Sequence, residues 1–245
     1  MKKIDFHSHI IPDIDDGAKD IETSIKMMEH SFAQGVDCMI ATPHFKALNK
    51  DIDAFLHNRN EKLKEVLRKS KENSALIPEI ILGAEVAVCP GISEFENLNL
   101  LCIENTDYIL LEMPYSYWYD AIFDEIYKIR AKRGLIPVIA HVERYSPKKT
   151  GYEQYDKFLA MGLIMQVNAS SFCTMQTRKR VVDIIESLPD GHFLLGSDCH
   201  DLLYRKTQFE KACKKITKIF GEEFMNNVFS NAENAINNKN VDAIL

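Results

Sequence analysis

Histidines and carboxylates recur along this chain just after short apolar runs. His7 and His9 follow residues 3–6, and His44 closes Ala41-Thr42-Pro43-His44. Glu85 stands late in residues 79–88, Glu112 ends residues 108–112, and His141 follows residues 136–140. Asp198 and His200 close Gly196-Ser197-Asp198-Cys199-His200. A single polar residue after a strand is an ordinary loop residue; metal-ligand types after six different strands are much harder to dismiss. The i, i+2 spacing of His7 and His9 sends both rings to one side of an extended strand, where they can approach one cation. Asp13-Ile14-Asp15-Asp16-Gly17 adds up to three carboxylates nearby, at least one of which is turn chemistry or helix N-terminal charge.

Five histidines and four carboxylates exceed the needs of one ion, since a structural zinc takes four ligands and a catalytic zinc three plus water. A mixed N and O donor set of that size suits two or three ions such as Mn²⁺, Fe or Zn²⁺. Bridging carboxylates hold such ions about 3.5–4 Å apart, the spacing at which metal-assisted hydrolases acidify water and clamp phosphate oxygens. Such a site needs no Ser or Cys nucleophile. Arg144 and Arg205 stand close behind His141 and His200, and their planar forks match phosphate oxygens. Loop arginines usually make surface salt bridges, but both stand beside candidate ligands. Pro114-Tyr115-Ser116-Tyr117-Trp118-Tyr119 holds the single Trp and three of the nine Tyr. It reads as a loop anchored by aromatics or as an apolar wall beside the metals, suited to an aromatic substrate or peptide.

Elements that could position these residues alternate along the chain. Helices are expected over residues 21–34 (Met27, Met28 and Phe32 inward, Gly35 ending it) and 51–72 (Phe55, Leu63, Val66 and Leu67 inward). Further helices are expected at 121–132, 152–161 and 178–187 and through most of the last 45 or so residues. Between them lie strand-like runs at 3–6, 37–42, 79–88, 108–112, 136–140, 163–167 and 192–196. The alternation predicts an α/β fold with a mostly parallel sheet, either a TIM-like barrel of about seven strands or a doubly wound sheet. In a barrel all the strand ends named above share one face, where barrel active sites are built.

The chain has 245 residues, 46% of them hydrophobic, which suits a sizeable core and excludes disorder as the main state. A formal net charge of -6 argues against a nucleic-acid partner, which calls for a basic patch. No run approaches the roughly 18–20 apolar residues of a membrane span, and MKKIDFHSH does not read as a secretory signal. A cytoplasmic protein with six reduced, mostly buried cysteines is therefore expected.

His7-Ser8-His9, Asp15-Asp16-Gly17, Ala41-Thr42-Pro43-His44, Gly83-Ala84-Glu85, Leu111-Glu112, Ile139-Ala140-His141-Val142-Glu143-Arg144 and Ser197-Asp198-Cys199-His200 together resemble the polymerase-and-histidinol-phosphatase (PHP) superfamily. Within it they are most similar to the bacterial tyrosine-protein phosphatases of capsular polysaccharide synthesis, the CpsB/YwqE type, in register from about Lys3 to Arg205. The resemblance implies a distorted TIM-like (β/α)₇ barrel, one domain over residues 1–245, and a trinuclear, usually manganese, centre. It implies that His7, His9, Glu85 and Asp198 surround one ion. Glu85 would bridge to a second held by Glu112 and His141, and Asp16, His44 and His200 would hold the third. Arg144 and Arg205 would face phosphate. The implied substrate is phosphotyrosine on the tail of a bacterial tyrosine kinase that controls capsule or exopolysaccharide export. A histidinol-phosphatase-like enzyme and a metal-containing module that docks the kinase tail without turnover are the alternatives. An exonuclease-like activity is disfavoured by the acidic balance. A cysteine nucleophile is set aside on the expectation that none of the six cysteines opens a Cys-centred phosphate loop ending in Arg; Cys199 is the one cysteine of interest, since it lies between two matched ligands.

Overall fold

The computed structural model describes residues 1–47, 51–187 and 192–241. Strands and helices alternate as β1 (Ile4–Ser8), α1 (Ile21–Ala33), β2 (Cys38–Ala41), β3 (His44–Phe45), α2 (Ile52–Glu72), β4 (Glu79–Leu82), β5 (Glu85–Ala87) and β6 (Tyr108–Glu112). They continue as α3 (Asp120–Arg133), β7 (Ile136–Ile139), α4 (Pro147–Thr150), α5 (Tyr152–Leu159), β8 (Ile164–Asn168), α6 (Met175–Ser187), β9 (Phe193–Gly196), α7 (Phe209–Phe220) and α8 (Glu222–Ile236). Among the described residues no helix is long and apolar enough to cross a membrane.

Every strand pairing is parallel. The strands run in the orders β1-β2-β4 and β3-β5-β6-β7-β8-β9. The two sheets are joined by staves that break midway. Thr42-Pro43 separates β2 from β3, and Pro43 has no N–H to give a ladder. Gly83-Ala84 separates β4 from β5, so residues 79–88, expected as one strand, form two. Gly83 N donates to Ala41 O (2.9 Å) and Glu85 N to Pro43 O (3.1 Å), which carries the pairing across both breaks. Each broken pair counts as one stave, giving seven. The ring closes where Ser8 bridges Cys199, through Asp198 N to His7 O (2.8 Å) and His9 N to Cys199 O (3.0 Å). The fold is thus a distorted parallel (β/α)₇ barrel.

Local chemistry sets the helix ends. The Asp20 carboxylate caps α1 by accepting from Thr23 N (2.7 Å), and Asp51 caps α2 through Ala54 N (3.0 Å). Gly134 ends α3 in a left-handed conformation, φ 67°. Two expected inward residues point out instead: Phe32 is 41% and Leu67 39% exposed, at the edges of stripes that Met27, Met28, Phe55, Leu63 and Val66 bury. On β6, β8 and β9 alternate residues divide cleanly. Ile109, Leu111, Met165, Val167, Phe193 and Leu195 join the large cluster shared with the helices. Tyr108, Leu110, Ile164 and Leu194 join a second cluster with Ile4, Phe6 and Val138. Followed upward, that second ladder turns polar, to Glu112 on β6, Gln166 and Asn168 on β8, and Asp198 beyond β9. The cluster's lower end is closed by Ala232 and Ala235 of α8.

Candidate metal centre

At the C-terminal ends of the strands the expected residues converge. Glu85 Oε2 has His7 Nε2 and His9 Nε2 both at 3.2 Å and His44 Nδ1 at 3.0 Å. Its other oxygen takes His141 Nε2 at 2.7 Å. Asp198 Oδ1 lies 3.7 Å from His7 Nε2 and 3.4 Å from His9 Nε2. Glu112 faces His141 (3.8 Å) and His44 (3.9 Å). Asp16 Oδ1 sits 3.4 Å from Nε2 of both His44 and His200. Donor atoms fall within metal-holding reach in three groups: His9, Asp16, His44 and His200; His7, His9 and Glu85; His44, Glu85 and Glu112. His9 and His44 each belong to two groups, so the clusters share walls more than the family resemblance implies. Asp16, with a side chain 63% exposed, forms the open side.

The tautomers are set for ligation. Nδ1 of His7 donates to Gln166 Oε1 (2.9 Å), Nδ1 of His9 to Asp15 Oδ2 (2.7 Å), and Nδ1 of His200 to the Asp198 carbonyl (2.9 Å). In the neutral ring each Nε2 is then a bare lone pair. Those of His7 and His9 face one another at 3.0 Å, which is repulsive unless a cation or proton lies between. Glu85 Oε2 and His200 Nε2 are buried without a hydrogen bond among the described residues. A donor set of this kind, with its orphans aimed at common points, fits divalent ions. With protons alone the cluster is strongly biased. Burial disfavours a charged His9, yet Asp15, Asp198 and Glu85 outweigh it and hold its pKa well above the usual value. Burial likewise opposes ionisation of Glu85 and Asp198, but the histidines around them hold both carboxyls well below their ordinary range. Burial, then the charge on His9, pushes His200 down to about 3.

Backbone geometry at the rim explains several motifs. His141 follows inward-facing Ala140, so strand alternation alone sends it outward; a left-handed φ of 33° breaks that alternation. Asp198 has φ 52°. Such conformations cost about 1–3 kcal/mol each in a non-glycine residue and are held by their surroundings. In Asp15-Asp16-Gly17 each residue has its own task. Gly17 lies so close over His9 that a Cβ would meet its carbonyl oxygen at 2.2 Å. Asp15 orients His9 and accepts from His44 N (2.9 Å) and Gly17 N (2.9 Å). Asp13 points out to Lys62 (3.0 Å) and is the carboxylate of turn chemistry.

Strand β8 supplies no member of the three donor groups, but its amides tie three candidate ligands together. Gln166 Oε1 accepts from His7 Nδ1 and from His141 N (2.8 Å). With that oxygen taken, its amide nitrogen donates to Asn168 Oδ1 (3.0 Å), and Asn168 Nδ2 donates to Asp198 Oδ2 (2.9 Å). Gly196 makes room, since a Cβ there would sit 2.6 Å from His7 Cβ and 2.8 Å from Gln166 Nε2. Sequence reasoning counted Asp15 among three nearby carboxylates without giving it a task of its own, and gave no role to Gln166 or Asn168. The available signal was two polar residues at i, i+2 in an otherwise apolar strand.

Both arginines reach Asp198: Arg144 Nη2 at 2.5 Å and Arg205 Nη2 at 3.1 Å, with Arg205 Nη1 also 3.2 Å from Asp16. Each is about one-third exposed, so each can turn toward an anion at the mouth. Cys199 begins a Cys-x₅-Arg segment that ends at Arg205, a spacing shared with cysteine phosphatases, so spacing alone does not dismiss a thiol nucleophile. Geometry does. The backbone N–H groups of Leu203, Tyr204 and Arg205 all donate to Asp201, and that of His200 to Arg205 O, so they do not cradle a phosphate. The Cys199 thiol is buried, and burial pushes its pKa far up. The aromatic segment divides its roles. Trp118 is fully buried against Tyr145, Tyr155 and Phe158 and anchors the loop, while Tyr115 borders the cluster with its hydroxyl 3.3 Å from His141 Nδ1.

Fold and site together define a class: a PHP-type parallel barrel with metal-donor side chains crowding its C-terminal mouth. The chain belongs to the capsular polysaccharide synthesis CpsB/CapC family, whose profile matches residues 3–237. It is 28% identical over 246 residues to the tyrosine-protein phosphatase CpsB of Streptococcus agalactiae, covering 96% of this chain and 98% of that one. The tyrosine-protein phosphatase YwqE of Bacillus subtilis is 28% identical over 243 residues, covering 97% and 93%. A chain from the crystal structures of YwqE from Bacillus subtilis and CpsB from Streptococcus pneumoniae, unique metal-dependent tyrosine phosphatases, aligns with TM-score 0.83 at 25% identity over 97% of this chain and 96% of that one. Histidinol phosphate phosphatase of Lactococcus lactis, with zinc, L-histidinol and phosphate, aligns with TM-score 0.55 at 12% identity over 89% and 93%, a likeness of fold.

Proposed function

We propose that this chain, as one domain over residues 1–245, is a metal-dependent protein-tyrosine phosphatase serving capsule or exopolysaccharide synthesis. The observation that carries the reading is the meeting of five histidines and four carboxylates with two arginines that reach the same carboxylate, Asp198. Family membership and the metal-dependent phosphatases among its relatives support it. His7, His9, Glu85 and Asp198 would hold one ion, Glu85, Glu112 and His141 a second, and Asp16, His44 and His200 a third, with manganese the favoured metal. When bound, such ions acidify water and neutralise phosphate oxygens. The chain's own side chains do the rest. Arg144 and Arg205 orient the phosphate and spread its charge, Asp15 and Gln166 keep His9 and His7 in the ligating tautomer, and Tyr115 walls the leaving-group side. In hydrolysis a water oxygen bonds to phosphorus, the bond from phosphorus to the phenolic oxygen breaks, and the phenolate takes a proton. With a phenol pKa near 10 that leaving group needs no strong acid from the protein. The substrate is the phosphotyrosine tail of a bacterial tyrosine kinase in the cytoplasm.

Elemental analysis joined to a strip-and-restore assay tests this. Two or three transition-metal ions per chain are expected, with activity on a phosphotyrosine peptide lost on chelation and regained on adding Mn²⁺. Undiminished turnover by metal-free protein, or purified protein that takes up no metal, sinks it.

A further inference from the structure

Tyr115 stands in an unusual position for a half-exposed aromatic. Its ring lies nearly parallel to that of His141, at 22° and 6.0 Å between centroids, and a second ring, Tyr145, lies 5.5 Å away. Its hydroxyl lies 3.3 Å from His141 Nδ1, and Tyr115 stands near enough to the Arg144 guanidinium to favour its charged form. Yet 46% of the residue remains exposed. The loop that carries it is held at both ends. Met113 N donates to Tyr145 Oη (2.9 Å), Trp118 Nε1 to Pro114 O (2.7 Å), and Trp118 N to Thr150 O (3.1 Å). Tyr117 lies against Gly151, where a Cβ would meet the ring at 2.8 Å. The exposed ring is therefore a fixed plate beside the arginine that would receive phosphate.

Resting on the reading above, we propose that Tyr115 sets specificity for an aryl leaving group. The ring of a phosphotyrosine whose phosphate is held by Arg144 stacks on the open part of Tyr115, while the Tyr115 hydroxyl keeps Arg144 and His141 in place. A compact alkyl phosphate reaches the same arginines without that contact. Stacked aromatic pairs of this kind change binding by about 3–10-fold.

Two variants separate ring from hydroxyl. Tyr115→Phe and Tyr115→Ala lose the hydroxyl alike, but only the second loses the plate. Kinetics of both on a phosphotyrosine peptide and on phosphoserine, with a thermal midpoint to confirm folding, give the comparison. The step from Phe to Ala is expected to lower kcat/KM for phosphotyrosine about 3–10-fold, through KM, and to leave the phosphoserine rate where Phe had set it. Equal losses on both substrates, or no loss on either, overturn the proposal. Phenylphosphonate against methylphosphonate, measured by calorimetry, supplies a readout that needs no turnover. Wild type should prefer the phenyl compound, and Tyr115→Ala should lose that preference. If the wild type hydrolyses neither ester, the phosphatase reading fails by itself, and the phosphonate preference still decides the role of Tyr115.

Discussion

The same strands end in opposite chemistry. At the lower end of β6, β8 and β9 the ladder of Tyr108, Leu110, Ile164 and Leu194 is apolar. There the Tyr108 hydroxyl donates to Lys239 O (2.5 Å) and Asp107 N to Asn238 Oδ1 (2.9 Å). Two to four residues higher, the barrel carries Glu112, Gln166, Asn168 and Asp198, left-handed His141 and Asp198, and the buried atoms Glu85 Oε2 and His200 Nε2, which have no hydrogen bond among the described residues. Buried orphans and strained backbone persist only where something else compensates. The lower end is packed and hydrogen-bonded, while the upper end gathers donor groups that fit a bound cation.

His9 tests the upper end most severely. It belongs to two donor groups, so His9→Ala should cost activity more than the about 10²–10³-fold typical of removing one charge-stabilising group. Metal content by elemental analysis should fall with it. A variant that keeps its metal and most of its activity would erase the distinction between the two ends. Gln166 tests the same end one step removed. Gln166→Leu leaves His7 Nδ1 and His141 N without their acceptor, and metal affinity should fall about 10–100-fold, read by titration against a chelator. A loss of stability with unchanged affinity would make β8 a structural strand only.

What was legible in the sequence follows that contrast. The apolar ladders announce themselves by period, and β6 was bounded correctly at residues 108–112 because both faces are apolar until Glu112. Donor residues were legible because metal-ligand types recur after six different strands, although any one of them alone would read as an ordinary loop residue. Gln166 was not, since an amide carries no charge and its role depends on two strands far away in sequence. The broken staves were hidden as well. Gly83-Ala84 lies inside the run at 79–88, and that a strand resumes after Thr42-Pro43 shows only once the partner's register is known. Phe32 and Leu67 were misplaced because a helical stripe says which face is buried but not how far the neighbouring layer extends.

Tyr108 sharpens the comparison from below. Tyr108→Phe removes one hydrogen bond to Lys239 O and should lower stability by about 0.5–1.5 kcal/mol in a denaturant titration. Metal content and kcat/KM should stay within about twofold, since the hydroxyl lies at the opposite end of β6 from Glu112. A loss of metal would mean that the two ends are coupled through the strands.

Cys199 carries a similarly small expected effect and the most specific one. It lies within the upper end, between Asp198 and His200, and its Cys-x₅-Arg spacing invites a thiol mechanism. Its working parts in the structure are backbone: its carbonyl accepts from His9 N, and its N–H donates to Ser197 Oγ (3.2 Å). Both survive Cys199→Ala, which removes one buried sulfur and costs stability on the order of 1 kcal/mol. Activity on a phosphotyrosine peptide should change less than about threefold, against the hundredfold or greater loss in His9→Ala. A thiol whose ionisation is opposed by burial and by nearby Asp5 should also resist iodoacetamide in the folded protein, detectable by mass spectrometry of the labelled peptide. If instead Cys199→Ala abolished turnover while His9→Ala did not, the donor cluster would be scaffold and the chemistry would belong to the thiol.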